Sequence, residues 1–125
     1  MDGRVLVEGS TRGEALVLDE ALSLWGGLDP ATGRIVEVGH PQFGAVVTGR
    51  ILVMPSGRGS SSSATVLAEA IRLGTAPAGI VLREADEILA IGALAAAELY
   101  GTSIPIIAAD QPSYDAVREG VVLQL

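Results

Sequence analysis

The feature that most constrains the fold is residues 51–73, where an apolar segment runs into a glycine turn, a serine run and an amphipathic helix. Residues 51–54 predict a buried strand, and the apolar spacing over residues 63–73 predicts a half-buried helix. A glycine turn that opens a helix leaves several backbone N–H groups pointing the same way, at the positive end of the helix dipole. The stretch therefore predicts a small anion-stabilising cradle lined with hydroxyl groups.

Within this cradle we interpret Ser60 as the residue that reacts, and Gly59 before it permits a close backbone approach. Two other interpretations stay open, because a turn at the carboxyl end of a strand is both a capping position and a usual ligand crevice. The serines either cap the helix or bind a ligand. Arg58, inside the turn, is either exposed to solvent or clamps a substrate carboxylate with two hydrogen bonds.

The rest of the chain places strands in a row first and then alternates strands with helices. Strands are predicted over residues 4–8, 14–19, 34–38, 45–48, 50–54, 79–82, 104–108 and 121–125. A hairpin or wide loop joins the first pair, and Asp86 and Asp110 start further helices, the latter reaching residue 119. The helix after Asp86 is expected to bury one stripe of apolar residues: Ile88, Ile91, Ala95 and Leu99. The fold class is therefore α/β, with a β-barrel-like N-terminal half and a βαβ-type C-terminal half, and residues 1–125 are expected to form a single domain.

Several single residues outside the turn are interpreted as structural. Asp29 is expected to make the turn over residues 29–33, because aspartate bonds nearby backbone and Gly33 tolerates a positive φ. His40 is read as a loop histidine bonded to local backbone. Trp25 is expected either in the core or at an interface.

The composition excludes several classes of partner and site. Eight basic residues, all arginine, stand against fifteen acidic ones, and the net charge of −7 disfavours nucleic acid and anionic membrane. There is no cysteine and only one histidine, so we expect no metal or iron–sulfur site within this chain. No signal sequence or membrane-spanning apolar run is recognisable. The sequence therefore predicts a soluble, cytoplasmic protein.

The motif G-R-G-S-S at residues 57–61 resembles the G-x-G-S-S turn in the swivel domain of aconitases and isopropylmalate isomerases. The chain is more similar still to the small subunit of the aconitase X group. That resemblance covers nearly the whole chain, through the segments 13–15, 25–29, 32–33, 49–53 with Pro55, 57–63 and 88–93. The short motif alone is weak, whereas the ordered set of segments is fairly specific.

The resemblance implies a swivelling β/β/α domain and a hydro-lyase made of two subunits. A large aconitase X-type subunit would hold an iron–sulfur cluster or metal, and the small subunit would contribute the catalytic serine, here Ser60, to a small hydroxy-acid substrate. The substrate contacts would come from Arg58, Gly59, Ser61 and Ser62. Aconitases have an arginine where this chain has Ser62, so Arg58 or the partner must supply the carboxylate contact.

The chemistry of dehydration also fits these residues. A serine hydroxyl is a poor base unless converging N–H groups and a helix N-terminus stabilise its alkoxide. The departing hydroxide needs a Lewis acid, for which this chain has no ligands, so a partner is expected. Within the family that the chain resembles, the run over residues 55–63 and the turn His40-Pro41 look more like the hydroxyproline-type enzymes, so the resemblance favours cis-3-hydroxy-L-proline dehydration over the alternative, phosphomevalonate dehydration. A non-catalytic subunit that binds a small anion or has only a structural role is a further alternative.

Overall fold

A computed structural model describes residues 1–59 and 61–125, and its elements follow the chain as predicted in outline. In order they are β1 (Gly3–Val7), β2 (Arg12–Val17), α1 (Leu24–Gly27), β3 (Leu28–Asp29), β4 (Arg34–Ile35), β5 (Ile51–Met54), α2 (Ser62–Leu73), β6 (Gly79–Leu82), α3 (Glu87–Tyr100), β7 (Ile106–Ala109), α4 (Gln111–Asp115) and β8 (Val122–Gln124). α1 is a single turn in which Trp25 and Gly26 leave the helical backbone conformation.

The described strands build one sheet of six strands in the order β1-β7-β6-β5-β2-β8, and β3 pairs separately with β4. The four central strands are parallel, while β1 and β8 are antiparallel at the two edges. Parallel neighbours need crossover connections. α2 supplies the crossover from β5 to β6, and α3 supplies the one from β6 to β7, as the βαβ-type prediction required.

The central strands β5 and β6 are buried on both faces, and their side chains alternate between two apolar clusters. In β5, Leu52 and Met54 point to the larger cluster with α2 and α3, whereas Ile51 and Val53 point to a smaller one. The smaller cluster is covered by Tyr114 and by residues near the C-terminus. This two-sided burial is the reason why the central strands are continuous apolar runs rather than alternating ones.

Of the two predicted connections between the first two strands, the wide loop is correct and the hairpin is wrong, because β1 and β2 lie four strands apart in the sheet. In a flat sheet, four strand spacings would separate β1 from β2 by roughly 19 Å, whereas the segment from the end of β1 to the start of β2 can span at most about 18 Å. The sheet is therefore curled, as the barrel-like prediction implied. The connection passes the start of β6 and β7: a β-carbon at Gly9 would lie 3.2 Å from Pro105, and one at Gly79 would lie 3.1 Å from Thr11.

The predicted buried stripe of α3 is also wrong. The helix buries Leu89, Ala90, Gly92, Ala93 and Ala96, all small except one, and it leaves Ile91 and Leu99 largely exposed. Small residues face α2 because the two helices pack very closely. Three of the four residues that were expected inside line an open groove of about 500 Å³ between α2 and α3: Ile91, Ala95 and Leu99.

Most helix ends follow the predicted capping chemistry. The Asp86 carboxylate accepts hydrogen bonds from the first turn of α3, and Asp110 accepts one from Ser113 at the start of α4. Gly74 and Gly101 end α2 and α3 in the left-handed conformation. α4 is shorter than predicted, and residues 36–38 and 45–48 are not strands.

None of the helices formed by residues 1–59 and 61–125 is long and apolar enough to cross a membrane.

The contact between Gly92 and α2 yields a stability prediction. A β-carbon at residue 92 would lie 2.7 Å from the carbonyl oxygen of Ala64, so Gly92→Val forces the helices apart. We expect a loss of about 2 kcal/mol or more in the free energy of unfolding, measured by urea denaturation. Ala97→Val, on the exposed side of the same helix, is the control and should cost only about 0.5 kcal/mol. Equal costs would contradict this packing.

Candidate functional site

The loops that follow β2, β5 and β6 meet at the carboxyl edge of the sheet. Leu22 forms a bridge with Gly57, and its carbonyl accepts a hydrogen bond from the N–H of Arg58 at 3.3 Å. On the other side, the N–H of Glu84 donates to the carbonyl of Pro55 at 3.0 Å. The glycine–serine turn therefore lies between two loops that hold its backbone, at the edge where α/β proteins usually bind ligands.

Gly57 is required because the carboxylate of Asp86 occupies the space beside it. One oxygen of Asp86 accepts hydrogen bonds from the N–H groups of Ile88 and Leu89, at 2.9 and 3.3 Å. A β-carbon at residue 57 would overlap the other oxygen. The cap of α3 thus packs directly against the turn that begins α2.

Gly59 is required on two grounds. Its φ of +109° lies in a region that side chains rarely adopt, and a β-carbon there would overlap the hydroxyl of Ser23. That hydroxyl donates to the carbonyl of Trp25 at 3.0 Å. The turn and the loop after β2 therefore approach each other at a position where no side chain fits.

The loop containing Trp25 also contacts the first turn of α2. The N–H of Trp25 donates to the hydroxyl of Ser63 at 3.3 Å, and Ser63 is buried. The Trp25 side chain itself is 61% exposed, so of its two predicted placements the core is excluded and an interface stays open. Ser63 has a structural task that the sequence did not reveal, because its partner lies 38 residues away.

The remaining serines differ from one another in their surroundings. Ser61 is the first residue before α2; it is exposed and its side chain makes no capping hydrogen bond, so capping does not explain it. Ser62 is half-buried in the first turn. Ser60, predicted as the reacting residue, lies outside the described residues.

Arg58 is paired with an acidic residue that sequence reasoning missed. Its guanidinium contacts the carboxylate of Glu37 at 2.5 Å, and the Arg58 side chain remains 51% exposed. Glu37 stands against the loop after β2, since a β-carbon at Gly27 would lie 3.3 Å from its carboxylate oxygen. No local pattern marks Glu37, because it comes from an irregular segment 21 residues before Arg58.

The structural interpretations of Asp29 and His40 are confirmed. Asp29 accepts hydrogen bonds from the N–H of Ala31 and the hydroxyl of Thr32, at 3.0 and 3.1 Å. His40 is buried, with its Nδ1 accepting from the N–H of Gln42 at 3.0 Å and its Nε2 lying 3.3 Å from the carbonyl of Glu20. Neither residue belongs to the site.

The site has little to offer a metal ion. Across residues 1–59 and 61–125, no group of three or more histidine, cysteine, aspartate or glutamate side chains is placed to hold one.

Arg83, which follows β6 at the same edge, lies 5.9 Å over the ring of Tyr114. Burial raises the pKa of the Tyr114 hydroxyl, and this guanidinium opposes the shift. Two electrostatic features lie at the turn: the positive end of the dipole of the twelve-residue helix α2, and the Arg58–Glu37 ion pair beside it.

Comparison with known proteins identifies relatives over the whole chain. The family profile described as the aconitase X swivel domain matches residues 1–125. The chain is 31% identical to a chain of Thermococcus kodakaraensis aconitase X in its holo-form crystal structure, with a TM-score of 0.86 over 98% of this chain and 88% of that one. The recognition of the family and the fold class are thus confirmed.

Two named relatives are similar to this chain, and they differ in how much of their own length the match covers. It is 50% identical over 103 residues to cis-3-hydroxy-L-proline dehydratase of Pseudomonas aeruginosa, covering 82% of this chain but 18% of that protein. It is also 50% identical over 86 residues to the phosphomevalonate dehydratase small subunit of Methanopyrus kandleri, covering 69% of this chain and 64% of that one. The chain therefore spans less than a fifth of one relative and just under two thirds of the other.

The contact between Ser63 and Trp25 yields a test of the site's architecture. Ser63→Ala leaves the N–H of Trp25 without its partner, and we expect a loss of about 1 kcal/mol in the free energy of unfolding. Ser61→Ala is the matched control, with an expected change within about 0.5 kcal/mol. Urea denaturation followed by the fluorescence of Trp25 measures both. A larger loss in the free energy of unfolding for Ser61→Ala than for Ser63→Ala would contradict the structural role given to Ser63.

Proposed function

The chain belongs to the aconitase X swivel domain family, and on this premise we propose that it is the small subunit of a two-subunit hydro-lyase. In this proposal Ser60 is the catalytic base, and residues 1–125 act as one swivel domain. The observation that carries the proposal is the placement of the two residues on either side of Ser60 in the sequence. Gly59 and Ser61 are both exposed, at the start of a long helix and at the carboxyl edge of a parallel sheet. A chain brought opposite this turn would meet the exposed residues Gly59 and Ser61 directly.

The turn can support a base because of its backbone. The positive end of the dipole of α2, a helix of twelve residues, lies at this turn and favours negative charge nearby. Once the serine hydroxyl has given its proton to solvent, the alkoxide at residue 60 would be stabilised in this way, and it would become a hydroxyl again by taking the proton from the substrate carbon. Exclusion of water by a covering partner would strengthen the effect.

We place the metal or iron–sulfur centre on a large subunit. The described residues of this chain lack a donor cluster, and its sequence has no cysteine. Such a centre supplies the Lewis acid for the departing hydroxide. The relatives support a further, larger part: one is named a small subunit, and in the Pseudomonas protein about four fifths of the same polypeptide lies outside the match.

For the substrate we favour cis-3-hydroxy-L-proline. Arg58 and Glu37 present one cation and one anion side by side, which matches a ring ammonium next to a carboxylate. Gly59, Ser61 and Ser62 would contact the rest of the substrate through backbone N–H groups and hydroxyls.

Phosphomevalonate is the second candidate, because the Methanopyrus relative is just as identical over its shorter match. It carries a phosphate as well as a carboxylate. Its fit to this subunit is poorer, since Glu37 would repel it and the sequence contains no lysine. A subunit that only binds an anion, or only stabilises the complex, remains the non-catalytic alternative.

Replacement of Ser60 tests the central assignment. In the complex reconstituted with the large subunit, Ser60→Ala should lower kcat by about 10³-fold or more, because the proton acceptor is lost. Assembly and melting temperature should not change. Ser10→Ala, at an exposed serine that is distant from residue 60 in the sequence, is the matched control and should keep full activity. Retained turnover in Ser60→Ala would remove the residue from the mechanism.

The Arg58–Glu37 pair distinguishes the two substrates. For hydroxyproline, both Arg58→Gln and Glu37→Gln should raise KM about tenfold, because each removes one charge contact. For phosphomevalonate, Glu37→Gln should instead lower KM, because a repelling carboxylate disappears. Steady-state kinetics with each substrate measure this, and Arg12→Gln, at an exposed position, serves as the control. An unchanged KM in Arg58→Gln would exclude this residue from substrate binding.

A further inference from the structure

Three large apolar side chains are exposed on segments beside the glycine–serine turn. Trp25 is 61% exposed, Val38 is 90% exposed and Phe43 is 58% exposed. We call these residues the Trp25 surface. With side-chain areas of about 150–250 Å² for aromatic residues, their exposed parts amount to roughly 400 Å². This is about half of what one partner contributes to a protein interface of standard size.

The segment that carries Val38 and Phe43 is held rigidly although it has no regular secondary structure. His40, buried at its centre, bonds the N–H of Gln42 and approaches the carbonyl of Glu20. At its end, the N–H of Gly44 donates to the carbonyl of Ile35 at 2.8 Å. A loop tied down in this way does not expose Val38 and Phe43 through mobility. Their exposure is a fixed property of the fold.

The Trp25 surface is continuous with the candidate site. The loop of Trp25 contacts the segment of Val38 directly, because the N–H of Val36 donates to the carbonyl of Gly27 at 2.8 Å. Between Val36 and Val38, Glu37 reaches Arg58 of the turn. A chain that faces the glycine–serine turn therefore lies beside these apolar side chains.

The border of this surface is acidic. Asp19 and Glu20 are exposed, and both are linked to the loop: Asp19 bonds Gln42, and Glu20 bonds His40 through its carbonyl. The whole chain carries a net charge of −7. A complementary partner would present an apolar centre with arginine or lysine at its border.

We propose that the Trp25 surface is where the large subunit docks, with an apolar patch of that subunit over Trp25, Val38 and Phe43 and basic residues opposite Asp19 and Glu20. This inference rests on the proposed function, because it assumes that the partner covers the turn. Docking here places the partner over Ser60 and excludes water from it. The groove between α2 and α3, lined by Ile91 and Leu99, is the competing surface.

The test uses the chain's only tryptophan. Replacing Trp25 with 5-fluorotryptophan by biosynthetic labelling gives one ¹⁹F resonance, which the partner's tryptophans do not obscure. On addition of the large subunit from the same organism, the resonance should shift and lose its sensitivity to the H₂O/D₂O ratio. An unchanged, solvent-sensitive resonance in a complex that has formed would overturn the inference.

Substitutions measure the contribution of the surface to affinity. By calorimetry, Val38→Asp and Phe43→Asp should each raise the Kd for the large subunit at least tenfold. Leu99→Asp, at a 69% exposed residue of the competing groove, is the matched control and should change the Kd less than threefold. Circular dichroism checks that each variant is folded. The opposite pattern, with only Leu99→Asp weakening the complex, would overturn the proposal in favour of the groove.

The two proposals fail in different ways. A wild-type complex that dehydrates its substrate but binds Val38→Asp and Phe43→Asp normally refutes the docking surface alone. A complex that forms through the Trp25 surface but shows no dehydration refutes the proposed function and keeps the docking surface. Absence of any association between the wild-type chains refutes both.

Discussion

The structure depends on one close contact, in which the carboxylate of Asp86 caps α3 and at the same time fills the space beside Gly57. A single side chain thereby fixes the start of α3 against the turn that begins α2. Further along α3, Gly92 lets the backbones of the two helices approach without a side chain between them. Gly57, where the turn begins, is consequently packed against the start of α3. A defined position of this kind suits a site that has to present polar groups in a fixed place.

The same turn is held from the side by the loop after β2. Ser23 leaves no room for a side chain at Gly59, and Ser63 bonds the backbone of Trp25. These contacts support the turn but do not cover it: Arg58 and Ser61 remain exposed. A domain that supports this turn from two sides and leaves Arg58 and Ser61 exposed fits the proposed role as one half of a catalytic site.

The sequence predicted the features that rest on local chemistry. The strand–turn–helix unit, the caps at Asp86 and Asp110 and the Asp29 turn follow from propensities within a few residues, and all are confirmed. Features that depend on distant partners were missed or wrong. The pairing of β1 with β7 rather than β2 depends on the curl of the sheet. The exposed stripe of α3 reflects a helix contact made by small residues, which a hydrophobic pattern cannot indicate. Glu37 was missed for the same reason, since it is connected to the site only through its ion pair with Arg58.

A structure of the chain in complex with its large subunit and a substrate analogue tests the central claim most directly. The account predicts that residues 57–61 lie at the interface, with the side-chain oxygen of Ser60 within about 3.5 Å of the substrate carbon that loses its proton. It also predicts that Trp25 lies beside the substrate cavity under the partner chain. A complex in which the glycine–serine turn faces solvent, away from the substrate, would contradict the account.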